Sequence, residues 1–576
     1  MAALLENLPS FIVATALLVM IPGQGVAMVL RQSIIGGPKA AFLSSIGNCL
    51  GILIWSVSSA IGLAFLAGGL TATGAHLAIT LGVAAGFITG RFSQEDSAPP
   101  ATAWEVLLLI FFAMASLRAF IWLIYAVGDE WRVLSPNNLG DISIHLQFIR
   151  YLASGPKFWP ESPILSGSPL VYPLGMDLWN SLLLLSGLPV ERGLIWTGLL
   201  GSALTAWALW RWGGAFAIAA FLFNGGIAGF AFFHTGKIMD FQTELAWKNL
   251  FLSMFVTQRG LLYALPCGLL LLRAWREDFF GKGAGIPRAV QFLLYVTLPI
   301  FSAHAFLVLS FILAGIFVFQ PTSRRALFTF VGAALIPATG LMYLITGGFS
   351  SSSGLRWLPG WMQADGGLYF WILNFGITLP LLFILLVIVA IRGDSRSRSF
   401  CFPALGIFAI CFLFAFAPWE WDNTKMLLWA WLVCAPFLWH SLIAPLPQLF
   451  RIILCFALFC SGALSLVGGL DGRHGYKLIT RSELAATEMA LQNVPRGSRI
   501  AIDPNFNNPV MLLGWPVSCG YEGHLWSHGL DYKSQWRKLQ NVLSSRPGWK
   551  GEADDLNTQW VFRKGGKLES VKDGTP

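Results

Sequence analysis

Two side chains that can move a proton stand one helical turn apart in the segment DISIHLQFIRYLASG. Asp141 opens this segment directly after Asn137-Asn138-Leu139-Gly140, and His145 follows four residues later. Residues at this spacing lie on the same side of a helix, so the carboxylate and the imidazole can act at one place. A carboxylate held there can serve as a general base. It can also serve as the N-cap of the helix, and the two roles are compatible.

A buried positive charge indicates where a phosphate can bind. Arg259 lies inside the apolar run FVTQRGLLYALP. An ionisable residue within a span is costly and marks function by default. The alternative is an arginine that reaches the membrane surface or pairs with backbone carbonyls.

Further candidates for contact with a phosphate or a sugar lie at the ends of apolar runs. Lys237 and Lys248 flank one polar segment, and Lys425 follows Asp422 in the tract PWEWDNTKMLLW. Each lysine is equally consistent with a solvated loop charge. His304, in IFSAHAF, is predicted to be embedded in the membrane, where it either lines a cavity or packs in the core.

Aromatic residues near these positions can stack on a sugar ring. Trp159, Tyr172 and Trp421 are the candidates, although aromatic belts at membrane interfaces give the same pattern. His524 and His528, with Glu522 beside them, have a spacing that zinc ligands use. Glycines on both sides argue against a helix there and a third ligand is not evident, so a polar turn with structural histidines is favoured and no metal site is predicted.

The composition shows which elements must position these residues. Apolar residues make up 55% of the 576 residues and charged residues only 12%, about half of the usual share. Residues 471–576 hold 25 of the 67 charged residues. The chain is therefore predicted to be a multi-span membrane protein followed by a small polar α/β domain, in which RIAID (499–503) forms a buried strand. A nucleic-acid partner is excluded because no basic stripe is present.

Apolar runs long enough to cross a bilayer predict about fourteen transmembrane helices. They fall near 10–30, 41–68, 75–90, 104–127, 193–210, 213–233, 249–272, 326–347, 368–391, 399–417, 426–445 and 452–470. The run 289–319 is too long for one span and breaks at Pro299 and His304, which predicts a helical hairpin.

The distribution of arginine and lysine predicts the orientation of these spans. Basic segments at 273–288, 324–325 and 392–398 are assigned to the cytoplasm. The segments 128–192, 234–248, 348–367 and 418–425 and the C-terminal region then share the opposite side, which is the periplasm in a bacterial inner membrane. Within 128–192, DISIHLQFIRYLASG and the stretch from Met176 to Leu188 are predicted to be helices lying on the membrane surface.

The loop 128–192 carries a resemblance to a known group of enzymes. The pattern GD-x-x-x-H-x-x-x-x-R-x-L-x-x-G, the following FWPESPILSGSPLVYPLGMDLWNSLL, and PWEWDNTKMLLW resemble the GT-C superfamily of membrane glycosyltransferases over about residues 100–545. These enzymes move a sugar from a polyprenyl-phosphate carrier to an acceptor, usually with inversion. The resemblance implies that Asp141 is the catalytic base. Many members carry a second acidic residue beside it, where this chain has Ile142, and the cofactor stays open, with a divalent cation as the candidate.

The first spans resemble a different family. Residues 8–67, with Pro22-Gly23 in the first span and Gly36-Gly37 in the following loop, are similar to the first two spans of the lysine exporter (LysE type) family. About 60 residues match, and two spans cannot enclose a transport path. A fusion or a misassigned gene start is therefore favoured over a working exporter.

The predicted protein is a polytopic α-helical membrane protein with three parts. Residues 1–70 are the exporter-like segment, residues 71–470 are a GT-C-like core with a structured periplasmic loop, and residues 471–576 are a C-terminal periplasmic domain. The predicted function is sugar transfer from a polyprenyl-phosphate donor to an unidentified acceptor. The alternatives are a transporter of amino acids or of a lipid-linked glycan, and an inactive envelope-assembly protein.

Overall fold

The computed structural model describes residues 56–64, 67–90, 100–281, 286–349, 355–363, 367–563 and 565–571. Most of the exporter-like segment 8–67 lies outside these residues, including the predicted span 10–30 and residues 41–55 of the predicted span 41–68. Twenty helices in the described ranges are given labels here. They are α1 (Ala72–Gly90), α2 (Ala103–Ile121), α3 (Asp141–Ala153), α4 (Gly175–Leu185), α5 (Val190–Leu222), α6 (Phe232–Thr235), α7 (Leu261–Phe280), α8 (Arg288–Phe301), α9 (Ala303–Phe319), α10 (Arg324–Ile345), α11 (Gly367–Phe375), α12 (Thr378–Arg392), α13 (Ser395–Leu413), α14 (Thr424–Leu438), α15 (Gln448–Gly469), α16 (Arg481–Ala490), α17 (Pro509–Leu512), α18 (Glu522–Ser527), α19 (Lys533–Leu543) and α20 (Trp549–Asp555).

The chain is a multi-pass membrane protein by the length and composition of its helices. Among the described residues, six helices are long and apolar enough to cross a membrane, or seven if α11 and α12, bent by 84°, form one span. The predicted number of about fourteen is not confirmed. Several apolar runs are divided into shorter helices, because breaks at Ser302, Gly376 and the segment before α7 interrupt them.

A pair of glycines divides α5 into two parts that run in opposite directions. Gly213 and Gly214 have non-helical backbone angles, and Gly214 has φ +61°. Gly214 lies beside Glu105 near the start of α2, whereas the Phe221 ring stacks on Phe112 farther along α2, with 5.9 Å between the centroids. The segment after the break therefore returns along α2. The break falls where the predicted spans 193–210 and 213–233 meet.

The run 289–319 forms the predicted helical hairpin. It consists of α8 and α9, which meet at Ser302, and the Ser302 side chain caps α9 by accepting from Ala305 N. The far ends of both helices lie together, since Gln291 Nε2 donates to Asp278 Oδ2 at 2.9 Å and Gln320 Nε2 donates to the Phe279 carbonyl at 3.0 Å.

Eight short strands connect distant parts of the chain. They are β1 (Tyr125–Val127), β2 (Glu130–Val133), β3 (Arg356–Trp357), β4 (Phe414–Ala415), β5 (Tyr476–Thr480), β6 (Ile500–Ala501), β7 (Trp560–Phe562) and β8 (Leu568–Ser570). In one sheet β2 pairs antiparallel with both β1 and β5, which come from the loop after α2 and from the C-terminal region. In another, β6 pairs parallel with β7, which pairs antiparallel with β8. The predicted strand at 499–503 is therefore present as β6.

The C-terminal region and the loop 128–192 pack into one unit. Arg499 is buried, donates to the Ser162 carbonyl at 3.0 Å and forms an ion pair of 2.6 Å with Glu161. Gln147 Nε2 donates to the Trp515 carbonyl at 3.2 Å. The prediction that α3 lies on the membrane surface is wrong, because its residues from Ile142 to Ile149 are all buried between α4 and α17.

The segments predicted to share one side of the membrane meet at one end of the helices. Residues from 128–192, 234–248, 348–367 and 418–425, together with Ser527 and His528, line a single cavity. At the other end, the segments around Phe279, Gln320 and Ser395 are joined by hydrogen bonds, including Ser395 Oγ to Gln320 Oε1 at 2.8 Å. This grouping agrees with the one predicted from charge.

Candidate functional site

A cavity of about 910 Å³ lies where these segments meet. Among the residues predicted for the site, it brings together Asp141, Asp422, Lys425 and His304. These four residues come, in that order, from the first turn of α3, the turn before α14, the first turn of α14 and the start of α9. They are up to 284 positions apart in the sequence, so the tertiary structure creates the site.

Asp141 reaches the cavity from the first turn of α3. The N-cap of this helix is Gly140 and no side chain caps it, so the predicted capping role of Asp141 is wrong. Burial raises the pKa of the Asp141 carboxyl to about 6, and the charges of His145, Lys425 and Arg259 partly oppose this effect while that of Asp422 adds to it. A carboxylate with this pKa is ionised at neutral pH and close to the value that suits a general base.

His145 does not face the cavity beside Asp141 as a second catalytic group. Its Nδ1 lies 2.8 Å from Asp177 Oδ1 in α4, and both side chains are almost completely buried. Sequence analysis missed Asp177 as a functional residue. The only local signal was a carboxylate inside the apolar stretch GMDLWNSLL, because a partner 32 residues away cannot be recognised from helical spacing.

Arg259 lies in the break between the π-helical turn Phe251–Phe255 and α7, so the predicted span 249–272 is interrupted at this residue. Its side chain is 1% exposed, and its three guanidinium nitrogens have no hydrogen-bond partner among the described residues. It interacts electrostatically with Asp177 and Asp141. A buried guanidinium without partners is unfavourable by itself and favours the approach of an anion. Arg259 is not among the residues that line the cavity, although its neighbours Gln258 and Gly260 are.

Two lysines line the cavity. Lys425 forms an ion pair of 3.1 Å with Asp422, and both are mostly buried. Lys248 also lines the cavity, and its backbone carbonyl accepts a hydrogen bond of 2.8 Å from Asn224 Nδ2. Lys237, the predicted residue at the other end of the same segment, is exposed and is not among the lining residues.

Aromatic side chains form one wall. Tyr172, Trp419 and Trp421 line the cavity, and the rings of Trp419 and Trp421 stack with 5.0 Å between their centroids. Trp421 Nε1 donates to the Ala246 carbonyl at 2.9 Å, which fixes its ring. Trp159, the third predicted aromatic, is not in this wall, and its Nε1 donates to the Leu170 carbonyl at 2.8 Å.

The two histidines of the C-terminal region reach the site from α18 and its end. His524 Nε2 lies 3.0 Å from the Gly140 carbonyl oxygen, and His528 stacks on Tyr172 with 4.9 Å between ring centroids. Burial lowers the pKa of His524 to about 4 and that of His528 to about 3, so both are neutral at pH 7. These contacts agree with the structural role that the sequence favoured, but the prediction that no helix forms there is wrong, because Glu522–Ser527 form α18.

The described residues do not form a ready site for a divalent cation. Calcium and magnesium take six or more oxygen ligands, including carboxylates. Asp141, Glu244 and Asp422 line the cavity, but Asp422 is paired with Lys425, and Ile142 stands beside Asp141. Within the described ranges no three His, Cys, Asp or Glu side chains converge. No catalytic step is therefore assigned to a metal.

Comparison with known proteins finds similarity only at the level of the chain path. No family model and no curated protein matches the sequence. Similar solved structures are the Archaeoglobus fulgidus oligosaccharyltransferase tethered with an acceptor peptide containing the NVT sequon (TM-score 0.45, 11% identity, 80% of this chain and 68% of that chain) and its apo form (0.43, 11%, 80% and 69%). The archaeal oligosaccharyltransferase AglB from the same organism, in complex with an inhibitory peptide and a dolichol-phosphate, is another (0.39, 12%, 80% and 69%).

Proposed function

We propose that this cavity is the active site of a membrane glycosyltransferase that uses a polyprenyl-phosphate sugar as donor. The observation that carries the proposal is the position of Asp141. Its carboxylate lies in the wall of a large cavity between aromatic residues, lysines and the apolar ends of spanning helices. The aromatic residues suit the sugar of such a donor, the lysines suit its phosphate, and the apolar helix ends suit its lipid.

Asp141 acts as the general base in this reaction. The acceptor oxygen or nitrogen attacks the anomeric carbon of the sugar, the bond between that carbon and the phosphate oxygen breaks, and the proton of the acceptor passes to Asp141. The lipid phosphate leaves with the bonding electrons. Attack from the side opposite the phosphate inverts the anomeric carbon. General base catalysis contributes about 10²–10⁴-fold to such rates.

The leaving phosphate meets positive charge on two sides. Lys425 and Lys248 line the cavity, and Arg259 lies behind the wall with three guanidinium nitrogens that have no hydrogen-bond partner among the described residues. Charge aimed at the leaving group stabilises the transition state in a site with little water. Arg259 comes from the backbone break before α7, where the Gly260 backbone packs tightly against the Phe301 carbonyl, so its position is fixed by the end of α8.

The apolar part of the cavity suits the lipid chain. Phe306, Leu307, Met342 and Ile345 from α9 and α10 line it. On the outer surfaces of the same helices Phe317 and Leu335 are exposed, as expected for side chains that face lipid. Tyr172 and Trp421 provide flat surfaces for the sugar. Because the basic segments lie at the opposite end, we assign the cavity to the periplasmic face of a bacterial inner membrane.

The first test replaces the base. Asp141→Asn, purified in detergent and given radiolabelled polyprenyl-phosphate sugars with an envelope acceptor fraction, is expected to lose transfer by about 10²-fold or more. In the wild type, kcat/KM falls as the pH drops through about 6, because protonation of Asp141 removes the base. The matched control is Asp129→Asn in the same loop, since Asp129 is exposed and accepts from the backbone N–H of Ser482 at 3.2 Å.

The outcomes of this test separate the alternatives. Equal transfer by wild type and Asp141→Asn, with Asp129→Asn also active, would contradict the role of Asp141 and leave Asp422 and Glu244 as the other described carboxylates that line the cavity. A folded wild type that transfers no sugar from any donor of the panel would contradict glycosyl transfer and favour an assembly role.

A further inference from the structure

The turn that carries Asp141 into the cavity is held by one side chain from the C-terminal region. His524 Nε2 lies 3.0 Å from the Gly140 carbonyl oxygen, 384 positions away in the sequence. The same oxygen accepts the first hydrogen bond of α3, from Ile144 N at 3.3 Å. A carbonyl oxygen has two lone pairs, so both bonds can form. His524 therefore acts directly on the peptide group that joins Gly140 to Asp141.

The imidazole of His524 packs against this turn as well as bonding to it. Gly140 has φ +85°, a conformation that side chains rarely adopt, and a Cβ built there would lie 3.3 Å from His524 Nε2. The Asp141 carboxylate has no hydrogen-bond partner in the described part of the chain. Its direction is therefore set by the backbone of this turn and not by bonds of its own.

The hydrogen bond to the Gly140 carbonyl determines the tautomer of His524. A carbonyl oxygen can only accept, so Nε2 must carry the hydrogen and donate. His524 Nδ1 is buried and has no partner among the described residues. A second proton on Nδ1 would be unsolvated there, so the neutral tautomer with hydrogen on Nε2 is the stable one.

The segment that carries His524 is anchored to the cavity on its other side. Trp526 lies against Trp419 with 6.4 Å between ring centroids, and Ser527 and His528 line the cavity. His528 stacks on Tyr172 in the aromatic wall. Residues 521–528 thus bridge the turn before α3 and the wall formed before α14.

We propose that His524 is a positioning residue that holds the half-buried Asp141 carboxylate in its orientation in the cavity wall through the Gly140 carbonyl. The catalytic meaning of this role depends on the proposed function. Its structural content does not, because the burial of Asp141 can be measured without any substrate. If the bond is lost, the turn relaxes, water reaches the carboxylate, and its affinity for a proton falls.

The experiment measures the protonation of Asp141 in the full-length protein. The hydrophobic probe dicyclohexylcarbodiimide reacts with protonated carboxyl groups, and peptide mapping by mass spectrometry gives the labelled fraction at Asp141 across pH 4–8. Wild type is expected to be half-labelled near pH 6, the value that burial gives this carboxyl. His524→Ala is expected to lower the midpoint by about one pH unit or more.

Two variants distinguish positioning from a general loss of structure. His524→Gln places an amide N–H where Nε2 stood and is expected to restore the wild-type midpoint. Thr558→Val removes a different buried hydrogen bond of the C-terminal region, between Thr558 Oγ1 and Ser518 Oγ, and is expected to leave the midpoint unchanged. If His524→Ala does not fold, Gly140→Ala disturbs the same contact from the other side and is expected to lower the midpoint.

A folded His524→Ala with an unchanged midpoint would overturn the proposal, and so would a His524→Gln that behaves like His524→Ala. Transfer assays on the same samples separate the two proposals. A shifted midpoint in a protein that transfers no sugar would support the role of His524 and contradict the glycosyltransferase function. Where transfer occurs, the fall of kcat/KM at low pH is expected to move with the labelling midpoint.

Discussion

At the scale of single residues, the site combines groups that would be unfavourable without a ligand. The Arg259 guanidinium is buried without a hydrogen-bond partner in the described structure, and the half-buried Asp141 carboxylate faces the cavity, whereas the His145–Asp177 pair is buried and hydrogen-bonded. Proteins keep unsatisfied buried charges mainly where function needs them. This contrast supports the proposal that Asp141 and Arg259 are the groups that contact substrate and that the His145–Asp177 pair supports them.

This contrast predicts that Arg259 lowers stability while supporting activity. Arg259→Met is expected to raise or preserve the Tm in detergent, because it removes a buried charge without partners, and to reduce sugar transfer by more than 10-fold (about 1.4 kcal/mol or more). The matched control is Arg273→Met. Arg273 is also buried but pairs with Glu277 at 2.8 Å, so its replacement is expected to lower the Tm.

A lower Tm for Arg259→Met than for Arg273→Met would show that Arg259 is a structural residue. Thermal unfolding, monitored by tryptophan fluorescence in the same detergent, gives the Tm of both variants.

At the scale of elements, breaks in the helices bring the candidate site residues to the cavity. The break before α7 carries Arg259. The break at Ser302 places the end of α8 and the start of α9 at the cavity. The reversal of α5 at Gly213 and Gly214 lets the chain pack twice against α2. Each break gives up helical hydrogen bonds, and the reversal of α5 also needs φ +61° at Gly214, a conformation that glycine adopts without steric strain.

The reversal of α5 predicts that adding one methyl group at Gly214 strongly affects the Tm. Gly214→Ala is expected to lower the Tm, because an alanine at φ +61° is strained by roughly 1–2 kcal/mol and its Cβ would lie 2.8 Å from Glu105 Oε1. Gly332→Ala in α10 is the control, since nothing lies within 4 Å of its Cβ position. Equal Tm values for the two variants would contradict the tight reversal.

At the scale of the whole molecule, the C-terminal region is part of the unit that forms the cavity. It supplies β5 to the sheet of the loop 128–192, and His528 to the cavity wall. The loop in turn buries Arg499, which donates to the carbonyls of Val517 and Ser162 and pairs with Glu161. The two parts therefore stabilise each other although more than 300 residues separate them in sequence.

The contacts of Arg499 predict that Arg499→Met destabilises both the loop 128–192 and the C-terminal region. The variant leaves two carbonyls and a carboxylate without their donor, so limited proteolysis is expected to cut the loop 128–192 and the C-terminal region faster. Lys538→Met is the control, since Lys538 forms a solvent-exposed pair with Asp555. Faster cleavage in the C-terminal region alone would show that the two parts fold independently.

The sequence by itself determined the local features of this protein. Apolar runs, basic segments and helical spacing predicted the membrane class, the hairpin at 289–319, the helix at Asp141 and the segments that meet at one end. These features depend on neighbours within a few turns, or on charge relative to the bilayer.

The tertiary structure alone decided which of the predicted polar residues meet. It brought Asp141 to Lys425 and His304, paired His145 with Asp177, left Lys237 outside, and buried α3 under the C-terminal region. It also decided that the bond from His524 reaches Gly140. Such contacts join residues tens to hundreds of positions apart, and neither periodicity nor composition records which distant partner satisfies a buried polar group.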